Sequence, residues 1–388
     1  MSAAPHRNAR IDVVRALAIG WVLLHHYWAN VVHRFPAVNQ LAETSAGPGY
    51  HPFGHFIRLL EGSSLGIKLF WFVSGFCIHT AFLSWWDRRA ADPDRRLGAY
   101  WRGFFIVRFW RIYPPYLLAL LAIFTVEYWG HLGELRSYRH LALHVSCIHN
   151  YFEAFVFNIN YSFWSIAIES QRYLLFPLLL VLWRFWGPGR AFLACMALSL
   201  ALRFGAPELT DGYWARMNPL GFWFDWLIGA VLAERWRARQ MLFRAHGPLL
   251  LVLGGTYLAC FALPLPEAMR PLLQPLVFAV AFEWFIHREA PLARLERWIV
   301  PLGAISFSVF LLHEPVFRWG LPALAPHLAQ LPAWVVLVPG LLAALAPVVA
   351  ISWIYNRWVE IPSNEFGKRL AQRRPVVPTA AVAGAGAT

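Results

Sequence analysis

Residues 10–28 read RIDVVRALAIGWVLLHHYW, a short charged start followed by an apolar run long enough to cross a bilayer. Arg15 and His26 are eleven residues apart. In a helix this separation is about 20° more than three full turns, so the two side chains share one face and lie about 16 Å apart along the axis. His25 points about 100° away from His26. Because ionisable groups are costly in a bilayer, this stretch predicts a membrane helix whose Arg15–His26 face has a function. Alternatively, His26 is a packed structural histidine and Arg15 extends its charged end to the membrane surface.

The composition of the whole chain agrees with a membrane location. Of its 388 residues, 59% are hydrophobic and 14% are charged, whereas an ordinary soluble domain is about 45–50% apolar and about 25% charged. The chain contains 21 tryptophans and 30 phenylalanines, and aromatic rings of this kind collect at bilayer interfaces. These values exclude a soluble domain, a disordered chain, a coiled coil and a disulfide scaffold. They indicate an integral membrane protein.

Apolar windows that are each long enough for one bilayer-crossing helix occur about ten times. They lie at about 16–34, 64–83, 112–130, 162–184, 191–206, 219–234, 247–264, 271–287, 301–320 and 333–355. The stretch 139–157 is half apolar and rich in histidine, so we interpret it as an interfacial or re-entrant segment. The predicted fold class is therefore an all-α polytopic membrane protein with about ten transmembrane helices.

The basic residues predict how these helices are oriented. Lysine and arginine number 34 against 21 acidic residues, a net charge of +13, and they cluster between the apolar windows. Such clusters favour the cytoplasmic side of a membrane protein. With the N-terminus in the cytoplasm, the arginine-rich segments 88–111 and 235–244 both fall on that side. The sequence therefore predicts an N-in, C-in, multi-pass protein of the cell (inner) membrane, with no nucleic-acid partner.

The predicted domain organisation is simple. One transmembrane domain, residues 10–370, is flanked by small-residue tails at 1–9 and 371–388 that are expected to be disordered. The longest connections, about 84–111 and 131–161, are too short for a soluble domain. The apolar run that begins at Ala16 is too long for a signal peptide and lacks a cleavage site, so no cleavable leader is expected.

A second polar face is predicted in SFWSIAIESQRYLLFPLL, residues 162–179. Ser165, Glu169 and Tyr173 are spaced at i, i+4 and i+8, which places them on one side of a helix. A carboxylate in an apolar span must be paired or protonated. Glu169 could orient a histidine, as a carboxylate does in a catalytic triad, or it could form a structural ion pair with Arg172.

Two further motifs combine polar and packing features. Ser74-Gly75 interrupts the apolar run SLGIKLFWFVSGFCI, where glycine permits close helix contact and serine can bond across helices; packing is the favoured interpretation. Arg108 and Arg111 precede Tyr113 and a pair of prolines at a predicted helix start. These arginines could bind phosphates or could simply follow the positive-inside bias.

Histidine and cysteine patterns give weak signals. The pairs His51/His55 and His140/His144 have the i, i+4 spacing that can hold a metal ion, but no acidic third ligand is nearby, so no metal site is predicted. His313-Glu314 is a suggestive but non-specific pair. None of the four cysteines forms a C-x-x-C motif, which argues against a zinc site and a disulfide framework.

Together these stretches resemble the acyltransferase 3 family, which comprises ten-helix bacterial membrane O-acyltransferases. The frame I-D-x-x-R-A-L-A, with ten residues between Arg15 and His26, resembles the first-helix motif of that family. Five more stretches resemble family motifs in the same order: SLGIKLFWFVSGFCI (64–78), VRFWRIYPPYL (107–117), FWSIAIESQRYLLFPLL (163–179), SFSVFLLHEPV (306–316) and VEIPSNEFGKRL (359–370). The resemblance covers nearly the whole chain. Arg172 and Glu314 depart from it, because the family usually has Phe and an apolar residue at these positions.

The resemblance implies the reaction and its catalytic residues. An acyl group, expected to be acetyl, would pass from cytoplasmic acyl-CoA to a hydroxyl of a saccharide or glycoconjugate. His26 would be the general base, or would carry the acyl group transiently. Glu169 would orient or stabilise the imidazolium, and Arg15 would complete the catalytic set.

The same resemblance implies where the donor binds. Arg108 and Arg111 would hold the phosphates of acyl-CoA, with Ser74 and Tyr113 as further members of the donor-binding set. Acyl-CoA is a co-substrate, so no bound cofactor is expected. The lipid bilayer and the saccharide acceptor complete the expected partners.

Two other functional classes remain as alternatives. A proton-coupled transporter or flippase of a saccharide or lipid-linked intermediate also uses intramembrane Arg, His and Glu residues. A structural or regulatory membrane subunit is the other alternative. The absence of an inverted internal repeat and the six ordered motifs favour the enzyme.

Overall fold

A computed structural model describes residues 9–45, 65–92, 96–131, 134–204, 213, 217–263, 265, 269–328 and 330–373. Throughout those ranges the chain forms helices and connecting turns, without a strand. The predicted all-α fold class is therefore confirmed. The predicted tails at 1–9 and 371–388 fall almost entirely outside the described residues, apart from a helix start at Ala9 and a helix end at Gln372.

Twelve helices are used as labels below. They are α1 (Ala9–Val31), α2 (Pro36–Ser45), α3 (Leu65–Ala91), α4 (Leu97–Tyr128), α5 (Leu135–Val145), α6 (Trp164–Phe204), α7 (Trp223–Arg237), α8 (His246–Ala262), α9 (Met269–His287), α10 (Arg294–Ala304), α11 (Ser306–Leu328) and α12 (Ala333–Gln372). The last of these includes two π-helical turns, Val336–Gly340 and Asn356–Glu360.

Length and apolar composition identify the membrane-crossing helices among the described residues. Five helices pass this test, namely α3, α4, α6, α9 and α12, and the bent pair α10–α11, which turns by 74°, would make a sixth span. The chain is thus a multi-pass membrane protein. Each predicted apolar window overlaps a helix, while the predicted number of ten spans stays a prediction.

Three boundaries differ from the sequence prediction. The segment 84–111 was predicted to be a loop, but α3 continues to Ala91 and α4 begins at Leu97, so this prediction is wrong. Arginine and tryptophan favour helix well enough to extend both spans beyond their apolar windows. Pro114 and Pro115 consequently lie inside α4 and not in its first turn. The windows 162–184 and 191–206 belong to α6, which is kinked at Gly187, where φ is 77°.

The histidine-rich stretch 139–157 agrees with the interfacial or re-entrant interpretation. Its helix α5 has 11 residues, which is too short to cross a bilayer. The segment that follows, residues 146–163, consists of turns and one 3-10 turn. We refer to residues 146–163 as the α5–α6 connection.

Close glycine contacts hold the bundle together. A Cβ atom at Gly75 would collide with the backbone carbonyl of Trp226, and one at Gly229 would collide with that of Phe72, so α3 and α7 touch backbone to backbone. Gly303 of α10 has the same relation to the carbonyl of Asp12 in α1. The packing interpretation of Gly75 is confirmed, because only a residue without a side chain fits there.

Gly75→Ala is therefore expected to lower the stability of the folded protein by about 1–3 kcal/mol, since α3 and α7 must move apart. Gly103→Ala is the matched control: it also lies inside a helix, but nothing lies within 4 Å of its added Cβ. The measurement is thermal unfolding of both variants in detergent. Equal midpoints for Gly75→Ala and Gly103→Ala would show that the α3–α7 contact can relax.

Candidate active site

His26 lies in a buried polar cluster between α1 and α11. Its side chain is almost fully buried, and its Nδ1 atom lies 2.8 Å from Oε2 of Glu314. Since a carboxylate only accepts hydrogen bonds, Nδ1–H donates to Glu314, which leaves Nε2 of His26 with its lone pair. The carboxylate that bonds to His26 is thus Glu314, supplied by α11, while Glu169 bonds to Ser74, so the orienting role of Glu169 stays a prediction.

A second histidine, His313, completes this cluster. Its ring centroid lies 4.8 Å from that of His26, and the residue is fully buried. Nδ1 of His313 donates to the carbonyl of Val309 over 3.0 Å, and its Nε2 lies 3.4 Å from the hydroxyl of Ser162. Both ring nitrogens of His313 are thus engaged by the protein. Of the two histidines, His26 has the ring nitrogen that can act as a base.

These three side chains also form the one His/Cys/Asp/Glu group within the described ranges that could surround a metal ion. The donor atoms of His26, His313 and Glu314 all lie within 4.8 Å of one another. However, the short hydrogen bond between His26 and Glu314 already satisfies one donor and one acceptor. The geometry is that of an oriented imidazole, as in a histidine–carboxylate pair, and we assign no metal to it.

A cavity lies nearer the charged end of α1; its empty space, including the solvent at its open mouth, amounts to about 840 Å³. Its polar lining includes most of the predicted site residues, from four helices: Arg15, Ser74, Arg108, Arg111, Glu169 and Tyr173. The rest of its wall is mainly apolar, including Trp71, Phe307 and Phe310.

The helix-face predictions account for this convergence. Ser165, Glu169 and Tyr173 all line the cavity, so the prediction that they share one face of α6 is confirmed. Arg15 lines the cavity as well, whereas His26 does not. Phe310 separates the two polar centres: it lines the cavity, and its ring centroid lies 5.8 Å from that of His313.

The cavity has an excess of positive charge. Arg15 pairs with Asp12 at 3.3 Å. For Arg108 and Arg111, the parts of the chain that the structure describes provide no ion pair; the guanidinium of Arg108 instead lies 5.5 Å from the ring centroid of Tyr173. Such a cavity suits a ligand that carries several negative charges, because guanidinium groups bind phosphates and carboxylates through paired hydrogen bonds.

Glu169 has partners of its own inside the cavity. It accepts a hydrogen bond from the hydroxyl of Ser74, and its other oxygen lies 4.0 Å from Nη1 of Arg172. The structural ion pair considered from the sequence is thus present. Arg172 also stacks on Trp71 at 3.9 Å and donates to the carbonyl of Phe222 over 2.8 Å, so it links α6 to the start of α7.

Tyr113 does not line the cavity. Its hydroxyl donates to the carbonyl of Val145 over 3.0 Å, and that of Tyr116 donates to His144 over 2.9 Å. At 100° per residue, the face of α4 that carries Arg108 and Arg111 differs from the face that carries Tyr113. The face of α4 with Tyr113 packs on α5 and not on the cavity, and the donor contact of Tyr113 stays a prediction.

The histidines of α5 and of the turn that follows it form a structural group. His144 stacks on His149 with ring centroids 3.8 Å apart, and Nδ1 of His144 donates to the carbonyl of His140 over 2.8 Å. Burial lowers the pKa of His144 to about 4 and holds the pKa of His149 well below its ordinary value, so both stacked rings are neutral at physiological pH. His51 and His55 lie outside the described residues.

Sequence reasoning missed two features of the His26 cluster. The carboxylate partner Glu314 stands out in the sequence only as part of the non-specific His313-Glu314 pair and as a departure from the family pattern, and neither signal links it to His26. Tyr161 was not singled out at all, although its ring centroid lies 5.7 Å from that of His26. No spacing rule could have found either one, because both reach His26 from segments more than 130 residues away in sequence.

Comparison with known proteins gives one family and several relatives. A family model described as "Acyltransferase domain" matches residues 8–356. The peptidoglycan O-acetyltransferase OatA of Listeria monocytogenes is 24% identical over 342 residues, which cover 79% of this chain and 52% of the relative. A putative O-acetyltransferase of Staphylococcus aureus (strain COL) is 25% identical over 199 residues, 46% of this chain and 31% of the relative.

The chain therefore spans about half or less of the length of these curated relatives. No solved structure matches the chain. The similarity thus concerns the helical domain. The match by itself does not assign to this chain the activities of the longer relatives as whole proteins.

Proposed function

Because the chain belongs to the acyltransferase family whose domain spans residues 8–356, we propose that it transfers an acyl group, expected to be acetyl, from acyl-CoA to a hydroxyl of a saccharide or glycoconjugate. The chain is an O-acetyltransferase-like membrane enzyme. The observation that carries the proposal is the cavity of about 840 Å³, which combines three arginines with an apolar wall.

Acyl-CoA has the chemistry that this cavity favours. Its phosphates need several cationic donors, and Arg108 and Arg111 have no ion pair among the described residues. Its pantetheine arm and acyl group are uncharged and suit the apolar wall that includes Trp71 and Phe307. In this assignment Ser74 and Glu169 line the donor site, and Arg15 adds a third positive charge.

The His26 cluster supplies the base that the reaction needs. The acceptor hydroxyl oxygen forms a bond to the thioester carbonyl carbon, while its proton passes to Nε2 of His26. The carbon–sulfur bond then breaks, and the proton passes from His26 to the departing thiolate, giving the ester and CoA-SH. Glu314 holds the Nδ1 proton throughout, which keeps Nε2 available as the base.

The saccharide acceptor is supported by the relatives. The Listeria relative is named for O-acetylation of peptidoglycan, a polymer of sugar rings. Because the saccharide lies outside the cell and acyl-CoA lies inside it, the two substrates must enter the protein from opposite sides of the membrane. The separate cavity and His26 cluster support such an arrangement, because they lie toward opposite ends of α1.

A ten-span, N-in and C-in topology in the cell (inner) membrane is part of the proposal. The clustered arginines support it, since they mark cytoplasmic segments. In this orientation the cavity with Arg15, Arg108 and Arg111 faces the cytoplasm, where acyl-CoA is made. The end of the bundle with the α5–α6 connection then faces outward.

Membrane vesicles of defined orientation test this function. Radiolabelled acetyl-CoA does not cross membranes, so inverted vesicles from cells that make the protein should transfer label to their saccharide fraction, and sealed right-side-out vesicles should not. Vesicles with the His26→Ala variant are the control. Labelling of right-side-out vesicles alone would overturn the donor side, and saccharide transport without any acyl transfer would overturn the enzyme.

The proposed donor site also predicts how the KM for acetyl-CoA changes when its arginines are replaced. Arg108→Gln and Arg111→Gln should each raise the KM for acetyl-CoA by about 10- to 150-fold, because each removes a charge-assisted contact of about 1.5–3 kcal/mol. Arg102→Gln is the matched control: Arg102 lies on the same helix, is exposed and bonds to the carbonyl of Arg373. If neither cavity variant changes this KM, the arginines only set the topology.

A further inference from the structure

Two exposed aromatic rings stand next to the buried His26 cluster. Phe157 and Tyr161 stack almost parallel, with centroids 4.4 Å apart and planes inclined by 14°. Both belong to the α5–α6 connection, and their exposed fractions are 37% and 44%. The two adjacent rings thus present a flat apolar surface to the outside of the molecule. Stacking covers only the faces that the rings turn toward each other and leaves the rest exposed.

Tyr161 connects this surface to the proposed base. Its ring centroid lies 5.7 Å from that of His26, at an angle of 73°. His26 itself is only 5% exposed. Tyr161 is thus an exposed ring that lies directly against the buried base.

The backbone beneath the two rings is held in an unfavourable conformation. Ile159 has a φ of 65°, a region that β-branched residues rarely adopt, and its side chain is buried. Strain of this kind persists only when the surroundings enforce it, and it is concentrated at ligand and active sites.

Buried hydrogen bonds enforce the conformation and tie it to α11. Asn160 is fully buried; its amide donates to the carbonyl of Leu311 over 3.1 Å, and its Oδ1 accepts from the backbone of Ser162 over 2.8 Å. Leu311 lies two residues before His313. The rings of Phe157 and Tyr161 are therefore fixed relative to the histidine cluster.

Aromatic residues at a membrane interface often serve only as lipid anchors. Anchoring does not require a ring against a buried histidine, and it does not require a strained, buried backbone. Phe152 illustrates the difference: it is exposed to 45% on the same connection, yet its ring contact is with Phe155 at 6.4 Å and not with the His26 cluster.

We propose that Phe157 and Tyr161 form the acceptor subsite, which binds one ring of the saccharide by stacking and presents its hydroxyl to His26. A sugar ring has a face of C–H bonds that fits the electron-rich face of an aromatic ring, while its hydroxyls point outward from its edge. This matches a flat aromatic surface beside a single base. The inference rests on the proposed function, because it assigns the acceptor to the same His26 site.

The test uses membranes from cells that lack their own copy of the gene and produce wild type or variants. These membranes contain the native acceptor, and radiolabelled acetyl-CoA is the probe. Phe157→Ala and Tyr161→Ala should each lower alkali-labile label in the saccharide fraction by about 3- to 10-fold, with a larger loss in the double variant, as expected for the loss of one or two ring contacts. Acetyl-CoA binding to the purified variants should be unchanged.

Phe152→Ala is the matched control for exposed aromatic anchors and should keep the wild-type rate. A double variant that labels saccharide at the wild-type rate overturns the acceptor subsite. So does a loss that is accompanied by weaker acetyl-CoA binding or is equally large in Phe152→Ala, because the rings would then act only structurally. Failure of the proposed function is distinct: in that case wild type itself leaves the saccharide fraction unlabelled.

Discussion

His26→Ala is expected to lose nearly all acyl transfer, with kcat falling by at least about 10²- to 10⁴-fold, the usual contribution of a general base. The physical reason is that the described residues provide no hydrogen bond to Nε2 of His26, whereas both ring nitrogens of His313 have partners among them. The measurement is transfer from labelled acetyl-CoA in membranes, normalised to the amount of each variant.

His25→Ala is the control on the same helix. Its ring touches that of His26 edge to face, with centroids 5.2 Å apart, but its side chain leaves the helix about 100° away from that of His26, so most of the activity should remain. Acetyl-CoA binding should survive in both variants, since neither residue lines the cavity. Loss of activity in His25→Ala with a fully active His26→Ala would refute the assignment of the base.

Glu314→Gln is expected to lower kcat by about 10²- to 10⁴-fold while the KM for acetyl-CoA stays the same. A carboxylate can only accept the Nδ1 proton of His26, whereas an amide can donate its own N–H to Nδ1 and thereby favour the wrong tautomer; the corresponding change in the serine protease triad costs about 10⁴-fold. Because the side chain keeps its size, packing between α1 and α11 should be retained.

Two comparisons separate this positioning role from a structural one. Glu127→Gln is the matched control: it makes the same substitution in an ion pair between α4 and α11, in which Glu127 accepts a hydrogen bond from Arg318 over 2.6 Å. Because this pair is partly exposed, its loss should change kcat little. Added to His26→Ala, Glu314→Gln should cause no further loss, because residues that act as one unit are not additive. A further loss in the double variant, or a raised KM, would show that Glu314 acts independently of His26.

The positions of the cavity residues follow from helix periodicity. Ser165, Glu169 and Tyr173 were placed on one face of α6 by their spacing alone, and they line the cavity together. Arg108 and Arg111 belong to it for the same reason, since residues three apart on a helix are neighbours. Tyr113 does not line the cavity, because it is two residues beyond Arg111 and is therefore turned by about 200° toward α5.

Contacts between distant helices could not be predicted in this way. Glu169 was assigned to His26 because it was the one carboxylate found on a predicted functional face. Its actual hydrogen-bond partner in the cavity is Ser74. Glu314 is adjacent to His313 in sequence, yet its contact with His26 depends on the packing of α11 against α1.

By itself the sequence determined the membrane class, the all-helical fold, the family and the helix faces that carry polar side chains. These features depend on composition and on a period of 3.6 residues, which are local properties of the chain. Only the tertiary structure decided which faces meet. It paired His26 with Glu314, placed Glu169 beside Ser74, and brought Tyr161 against the base on a strained backbone. Packing of whole helices sets such contacts, and no local periodicity encodes them.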